Sequence, residues 1–135
     1  MATRKRQSPN AAQKLVRGAI RDFINQLNSI VIEPEINTPV KGTEAWYRDK
    51  LARELGGKTE VYIDKVGRID VLTNTEIIEV KNTKGWKSAI GQIKSYGQYY
   101  PKHKMRVHLF GKLTESKLET IQRVCKLEGI TLTWE

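Results

Sequence analysis

Gly67-Arg68-Ile69-Asp70-Val71-Leu72-Thr73-Asn74-Thr75-Glu76-Ile77-Ile78-Glu79-Val80-Lys81 is the stretch that decides the architecture of this chain. Apolar and polar residues alternate on both sides of Asn74-Thr75, which reads as two short strands joined by a tight turn. Residues two apart on a strand share a face, roughly 6.6 Å apart. Glu79 and Lys81 therefore point one way, Ile78 and Val80 the other. If the strands pair about the turn, Asp70 approaches Glu79 from the neighbouring strand. Two carboxylates and an amine then converge. Hard oxygen ligands suit Mg²⁺, which often binds through one or two carboxylates plus substrate phosphate. A lysine beside such an ion can hold or polarise an attacking water, which is equipment for phosphodiester hydrolysis. The plainer alternative is a solvated strand face, where E-x-K supplies only cross-strand ion pairs.

Composition narrows the classes. A chain of 135 residues is one domain with room for a core. Its net charge of +9 asks for a polyanionic partner, and nucleic acid is the simplest one. No apolar run approaches the ~18 residues that span a bilayer, so no membrane association is expected. The basic start, Met1 to Arg6, has no apolar stretch behind it and is not a secretory signal. Cys125 is the single cysteine, which excludes an internal disulfide and suits a reducing, intracellular setting, cytoplasmic or DNA-associated. With His103 and His108 it raises the thought of zinc. The spacing fits no zinc pattern, and Cys125 falls on the apolar side of a helix, so it reads as core.

Working outward, residues 1–7 read as a disordered basic arm, with Arg4, Lys5 and Arg6 available to DNA phosphates. Ser8-Pro9 starts a helix predicted from about Pro9 to Asn28, with an apolar stripe through Val16, Ile20, Phe23, Ile24 and Leu27. Residues 8–41, this helix and its linker, are a candidate oligomer interface; 42–135 form the core domain. Thr43 caps a second helix from about Glu44 to Leu55, ended by Gly56-Gly57. On it Glu44, Leu51 and Leu55 lie within about 20° of one another, which puts an acid on the inward side; the dipole of the first turn is the simpler reason for an acid there. Strands are expected at about Glu60–Asp64, Arg68–Thr73 and Glu76–Lys81. A helix from about Trp86 to Tyr99 follows, with Gln92 and Tyr96 on one face. Then come a strand over Met105–Phe110, a helix from Thr114 to about Glu128, and a last strand over Ile130–Trp134. A hairpin followed by a β-α-β crossover gives a mixed α/β sheet flanked by helices.

These residues resemble the PD-(D/E)xK nuclease superfamily, the restriction-endonuclease-like fold, and within it RecB-type nuclease domains and archaeal-type Holliday-junction resolvases. The resemblance covers about residues 42–110. Asp70 matches the motif aspartate, Glu79 and Lys81 the E-x-K, Glu44 the acid on the preceding helix, and Gln92 with Tyr96 the Q-x-x-x-Y of RecB-like members. Ile69 stands where the motif has proline. The resemblance implies a restriction-endonuclease-like mixed sheet with an extra N-terminal helix. It also implies a Mg²⁺-dependent DNA endonuclease in which Mn²⁺ substitutes. Asp70 and Glu79 would hold the metal, with the main-chain carbonyl of Val80 as a further ligand. Glu44 would act through a metal-bound water or hold a second ion, and Lys81 would position the attacking water. Gln92 would orient Lys81 or touch the scissile phosphate, and Tyr96 would support it.

A chain with one active site cuts both strands of a duplex most simply as a homodimer, or as a homotetramer of dimers. Two other readings stand beside the endonuclease: a non-catalytic nucleic-acid-binding module on a nuclease-like fold, and a small interaction protein whose ion pairs are structural.

Overall fold

The computed structural model describes residues 17–23 and 38–135. The chain divides between Thr38 and Pro39 into two compact units. In the first, residues 17–23 are helical (α1), inside the helix expected there, and Ile20 and Phe23 are exposed. The remainder of that helix and the arm carrying Arg4, Lys5 and Arg6 lie outside the described residues.

The second unit runs α2 (Glu44–Leu55), β1 (Lys58–Ile63), β2 (Gly67–Leu72), β3 (Glu76–Asn82), a 3₁₀ turn (Thr83–Gly85), α3 (Trp86–Gly97), β4 (Lys104–Phe110), α4 (Glu115–Leu127) and β5 (Ile130–Trp134). The five strands lie in sequence order in one sheet. β1, β2 and β3 are antiparallel neighbours, while β4 and β5 add in parallel. This is the mixed α/β sheet expected from the hairpin and crossover.

Local chemistry sets the limits of the elements. The Thr43 hydroxyl accepts from the Trp46 amide and starts α2; Gly56 in the left-handed region ends it. Thr114 caps α4 in the same way through the Lys117 amide. The β2–β3 turn is closed by the Thr73 amide donating to the Glu76 carbonyl and the Glu76 amide donating to the Thr73 hydroxyl, both at 2.9 Å.

Strand alternation then builds two cores. Ile77 faces α3 and α4, with Ile93, Leu109 and Ile121; Ile78 and Val80 face α2, with Leu51, Ala52 and Phe110. Ile77 and Ile78 are both fully buried, and each contributes on the order of 2 kcal/mol through burial. Tyr47 of α2 stacks on Phe110 at 4.4 Å. The expected inward stripe of α2 is corrected in one respect: Leu55 is exposed, and the buried strip is Leu51 with Ala52. Leu55 sits in the last turn, immediately before the chain reverses at Gly56.

Candidate active site

The site grows from an irregularity in β2. The β1–β2 register has a rung at Thr59↔Val71 and another at Val61↔Ile69, but none between Glu60 and Asp70. Glu60 takes a positive φ of 51° there. Regular pleating would put Ile69 and Val71 on one face. Instead Ile69 packs with α3 and α4, and Val71 packs with α2. The β2–β3 ladder also stops early, at Val71↔Ile78 and Leu72↔Ile77. Continuing that register sets Asp70 opposite Glu79. Where the next rung belongs, Asp70 Oδ2 accepts from the Val80 amide at 2.8 Å. A carboxylate has taken over a main-chain hydrogen bond, so its position is tied to the sheet rather than to a side-chain rotamer alone.

Glu79 is 3% exposed and its Oε2 has no hydrogen-bond partner. Burial pushes its carboxyl from the usual 4.5 up to about 9; the Asp70 charge adds to the rise and Lys81 opposes it. Asp70 is raised as well, first by burial, with the Val80 amide pulling it down and Glu44 pushing it up. Two carboxyl groups in poor solvent, one with an orphaned oxygen, are short of positive charge. A divalent cation would supply it, and by the chemistry of the donor set Asp70 and Glu79 fit Mg²⁺. Among the described residues no three His, Cys, Asp or Glu side chains cluster closely enough to hold an ion alone. Two carboxylates completed by water and phosphate oxygens are a donor set that Mg²⁺ accepts.

Lys81 lies two residues beyond Glu79 on the same face. Its Nζ is 3.6 Å from Glu44 Oε1, at the first turn of α2. That contact brings Glu44 to the site, half-exposed and engaged with the lysine. The stem of Lys81 runs across Gly85: a methyl group there would stand 3.0 Å from Lys81 Cγ. The backbone of the 3₁₀ turn thus walls the lysine on one side, a role for Gly85 that the E-x-K pattern does not announce.

From α3, Tyr96 is buried, and the Arg68 main chain beside its hydroxyl pulls the phenol down. Burial raises the phenol first, and the Glu79 and Asp70 charges raise it further, which places it beside both. Its hydroxyl rests on Gly67, whose φ is 148°; a Cβ there would sit 2.7 Å from Tyr96 Oη. Only glycine allows both that backbone and that contact. Gln92, one turn earlier on α3, has a buried Oε1 without a partner, and it makes no hydrogen bond to Lys81. Asp70, Glu79, Lys81, Glu44 and Tyr96 are therefore brought together, whereas Gln92 is half-buried on the helix of Tyr96 with its buried acceptor unused.

The histidines and the cysteine go elsewhere. His108 Nδ1 contacts Thr133 Oγ1 and its Nε2 contacts Glu135 Oε2, each at 2.8 Å. His103 Nε2 lies 3.1 Å from the Thr73 carbonyl. Cys125 is core, as expected, and burial pushes its thiol up. An open cleft of about 550 Å³, lined by Ala52, Arg53, Gly57 and Thr59 among others, contains none of the acidic cluster. No described helix is long and apolar enough to cross a membrane.

The chain is similar to three proteins of Acanthamoeba polyphaga mimivirus, each named as KilA-N domain-containing. One is 45% identical over 85 residues, covering 63% of this chain and 34% of that protein. A second is 39% identical over 82 residues, 61% of this chain and 22% of the relative. A third is 33% identical over 111 residues, 82% of this chain and 29% of the relative. The chain thus spans about a third or less of the length of these curated relatives. No family model matches the chain. No solved structure matches it.

Proposed function

We propose that this chain is a DNA-binding domain that hydrolyses phosphodiester bonds with Mg²⁺ as its cofactor, acting as an endonuclease. The observation that carries the reading is the buried Glu79, its Oε2 unpartnered and its carboxyl pushed up to about 9, directly across from an Asp70 pinned by the Val80 amide. A purely structural strand face has no need to bury two acids together, at a cost of several kcal/mol unless a cation joins them. Asp70 and Glu79 would hold the ion, with the Val80 carbonyl as a further ligand, and it would supply charge stabilisation at the phosphate and a more acidic water. Lys81, braced by Gly85 and paired with Glu44, holds the attacking water by donating from Nζ and meets the charge that develops on phosphorus oxygens. Tyr96 packs its hydroxyl on Gly67 at the start of β2, and so helps aim Asp70. Gln92 has a free acceptor to orient Lys81 or a water. Among the described residues no serine, cysteine or histidine stands ready as a covalent nucleophile, so water is the economical attacking group.

The coarser part of this reading, DNA binding, has separate support. The relatives are named for a KilA-N domain, a DNA-binding domain. They favour the second reading, a nucleic-acid-binding module without catalysis. The matched segment is a minor share of each relative, so the shared residues need not be those that give them their name.

Nicking of supercoiled plasmid separates the two. Wild type should nick with Mg²⁺ and stop with EDTA. Asp70→Ala, Glu79→Ala and Lys81→Ala should lose cleavage yet bind DNA within a few-fold of wild type, because phosphate contacts supply most affinity. Binding without any metal-dependent nicking by wild type would leave the second reading standing.

A further inference from the structure

Four lysines lie next in sequence to elements that carry or adjoin the acidic cluster, without an acidic partner among the described residues. Lys84 is in the 3₁₀ turn and Lys87 in the first turn of α3; Lys112 follows β4, and Lys41 lies three residues before Glu44. All four are exposed. None belongs to an ion pair among the described residues. They come from three separate segments, and two of these are locked together. The Thr83 hydroxyl, almost fully buried, donates to the Lys112 carbonyl at 2.8 Å. Asn82 Oδ1 accepts from the Lys84 amide at 3.0 Å. Gly111 packs so closely on this turn that a Cβ would stand 3.1 Å from Asn82 Nδ2. Asn82 itself pairs with Phe110 at the end of the β3–β4 ladder, one residue past Lys81.

Like charges held side by side repel, and native folds tolerate them where an anion joins them. From these positions we infer that Lys84 and Lys112, flanked by Lys87 and Lys41, form the surface that grips the phosphates of the DNA on either side of the bond presented to Asp70, Glu79 and Lys81. The inference rests on the nuclease reading for its substrate, and assigns the residues that hold it. The platform is rigid because its main chain is tied to the sheet, while the lysine heads remain free to follow a backbone of any sequence. Lys102 and Lys104, equally free of ion pairs, stand at the opposite end of the same two strands, about 20 Å away by strand rise. They carry the same charge and belong to no such platform.

The test is binding of a fluorescein-labelled 20-base-pair duplex, read by anisotropy in EDTA between 50 and 200 mM salt, so that cleavage plays no part. Lys84→Ala/Lys112→Ala should weaken binding roughly tenfold or more and flatten the slope of log K against log salt by about 1.8, since each duplex phosphate contact carries about 0.9. Lys102→Ala/Lys104→Ala should change affinity less than twofold. Lys84→Arg/Lys112→Arg should bind like wild type, which also shows that the turn still folds. Equal losses in the two alanine pairs would mean diffuse attraction and overturn the platform, as would unchanged binding by Lys84→Ala/Lys112→Ala. If the platform variants lose binding but wild type never nicks plasmid, the catalytic reading fails while this surface stands.

Discussion

Replacing Glu79 by glutamine should make the metal-free protein more stable, although it removes a residue central to the proposed chemistry. In the folded chain the Glu79 carboxyl keeps its proton up to about pH 9; in the unfolded chain it releases it near 4.5. Below pH 4.5 both states carry the proton and the protein has its full stability. As pH rises from 4.5 towards 9 the unfolded state binds fewer protons, and stability is progressively lost. Each pH unit in that window costs about 1.4 kcal/mol at the limit, so at pH 7 the buried acid costs on the order of 3 kcal/mol. Glutamine has nearly the same shape and nothing to ionise. Urea unfolding in EDTA at pH 5 and pH 8 is the assay. Near pH 5 Glu79→Gln and wild type should have similar midpoints; at pH 8, where the cost has grown to about 5 kcal/mol, the variant's midpoint should lie about 1.5–5 M higher, given slopes of about 1–3 kcal/mol per M. Millimolar Mg²⁺ should then raise the wild type and leave the variant nearly unmoved, because bound ion stabilises only the form that holds it. A variant less stable than wild type at pH 8, or a wild type with no loss of stability between pH 5 and 8, would refute the account of Glu79.

Further expectations concern the groups around the pair. Glu44→Gln and Gln92→Ala should each lower plasmid nicking by roughly 10–100-fold without moving the unfolding midpoint much, and less than loss of Asp70 does; a wild-type rate in either removes that residue from the mechanism. Gly85→Ala should fold normally, since its φ is −99°, yet reduce nicking about tenfold by displacing the Lys81 stem; unchanged turnover would show that the lysine does not depend on that wall. Phe23→Glu should lower the mass measured by light scattering if the exposed Ile20–Phe23 face joins two copies; a monomeric wild type at micromolar concentration ends that expectation.

The fold was largely legible because its elements carry strong local signals. Thr43 and Gly56 bracket α2, and Ile130–Trp134 is bounded by Gly129 before it. The hairpin about Asn74-Thr75 has the anticipated register. What could not be read is the bend at Asp70. Alternation in Ile69-Asp70-Val71 suggests an ordinary strand, and Glu60 is not a residue type that favours a positive φ, so neither strand announces the missing rung. The depth of Glu79 was equally hidden, since E-x-K looks the same on a wet strand as on one covered by a helix. Burial is a property of what α3 and β4 bring over the strand. For the same reason Gly67 and Thr83 carry no local signal: each matters through a neighbour 29 residues away, Tyr96 and Lys112 respectively, and Gly85 matters through the stem of Lys81 that lies across it.

The alternation of Ile78, Glu79, Val80 and Lys81 along β3 makes the apolar core a proofreader of the acidic one. A slip of one residue against β4 would turn Glu79 and Lys81 into the packing beneath α2 and push Ile78 and Val80 among the carboxylates. Such a mistake exposes oil and strands charge in one movement, so it carries its own veto. Misassembled chains are then discarded for bad packing rather than persisting as folded molecules with a scrambled site, and any molecule that has buried Ile78 and Val80 has also aimed Glu79 and Lys81.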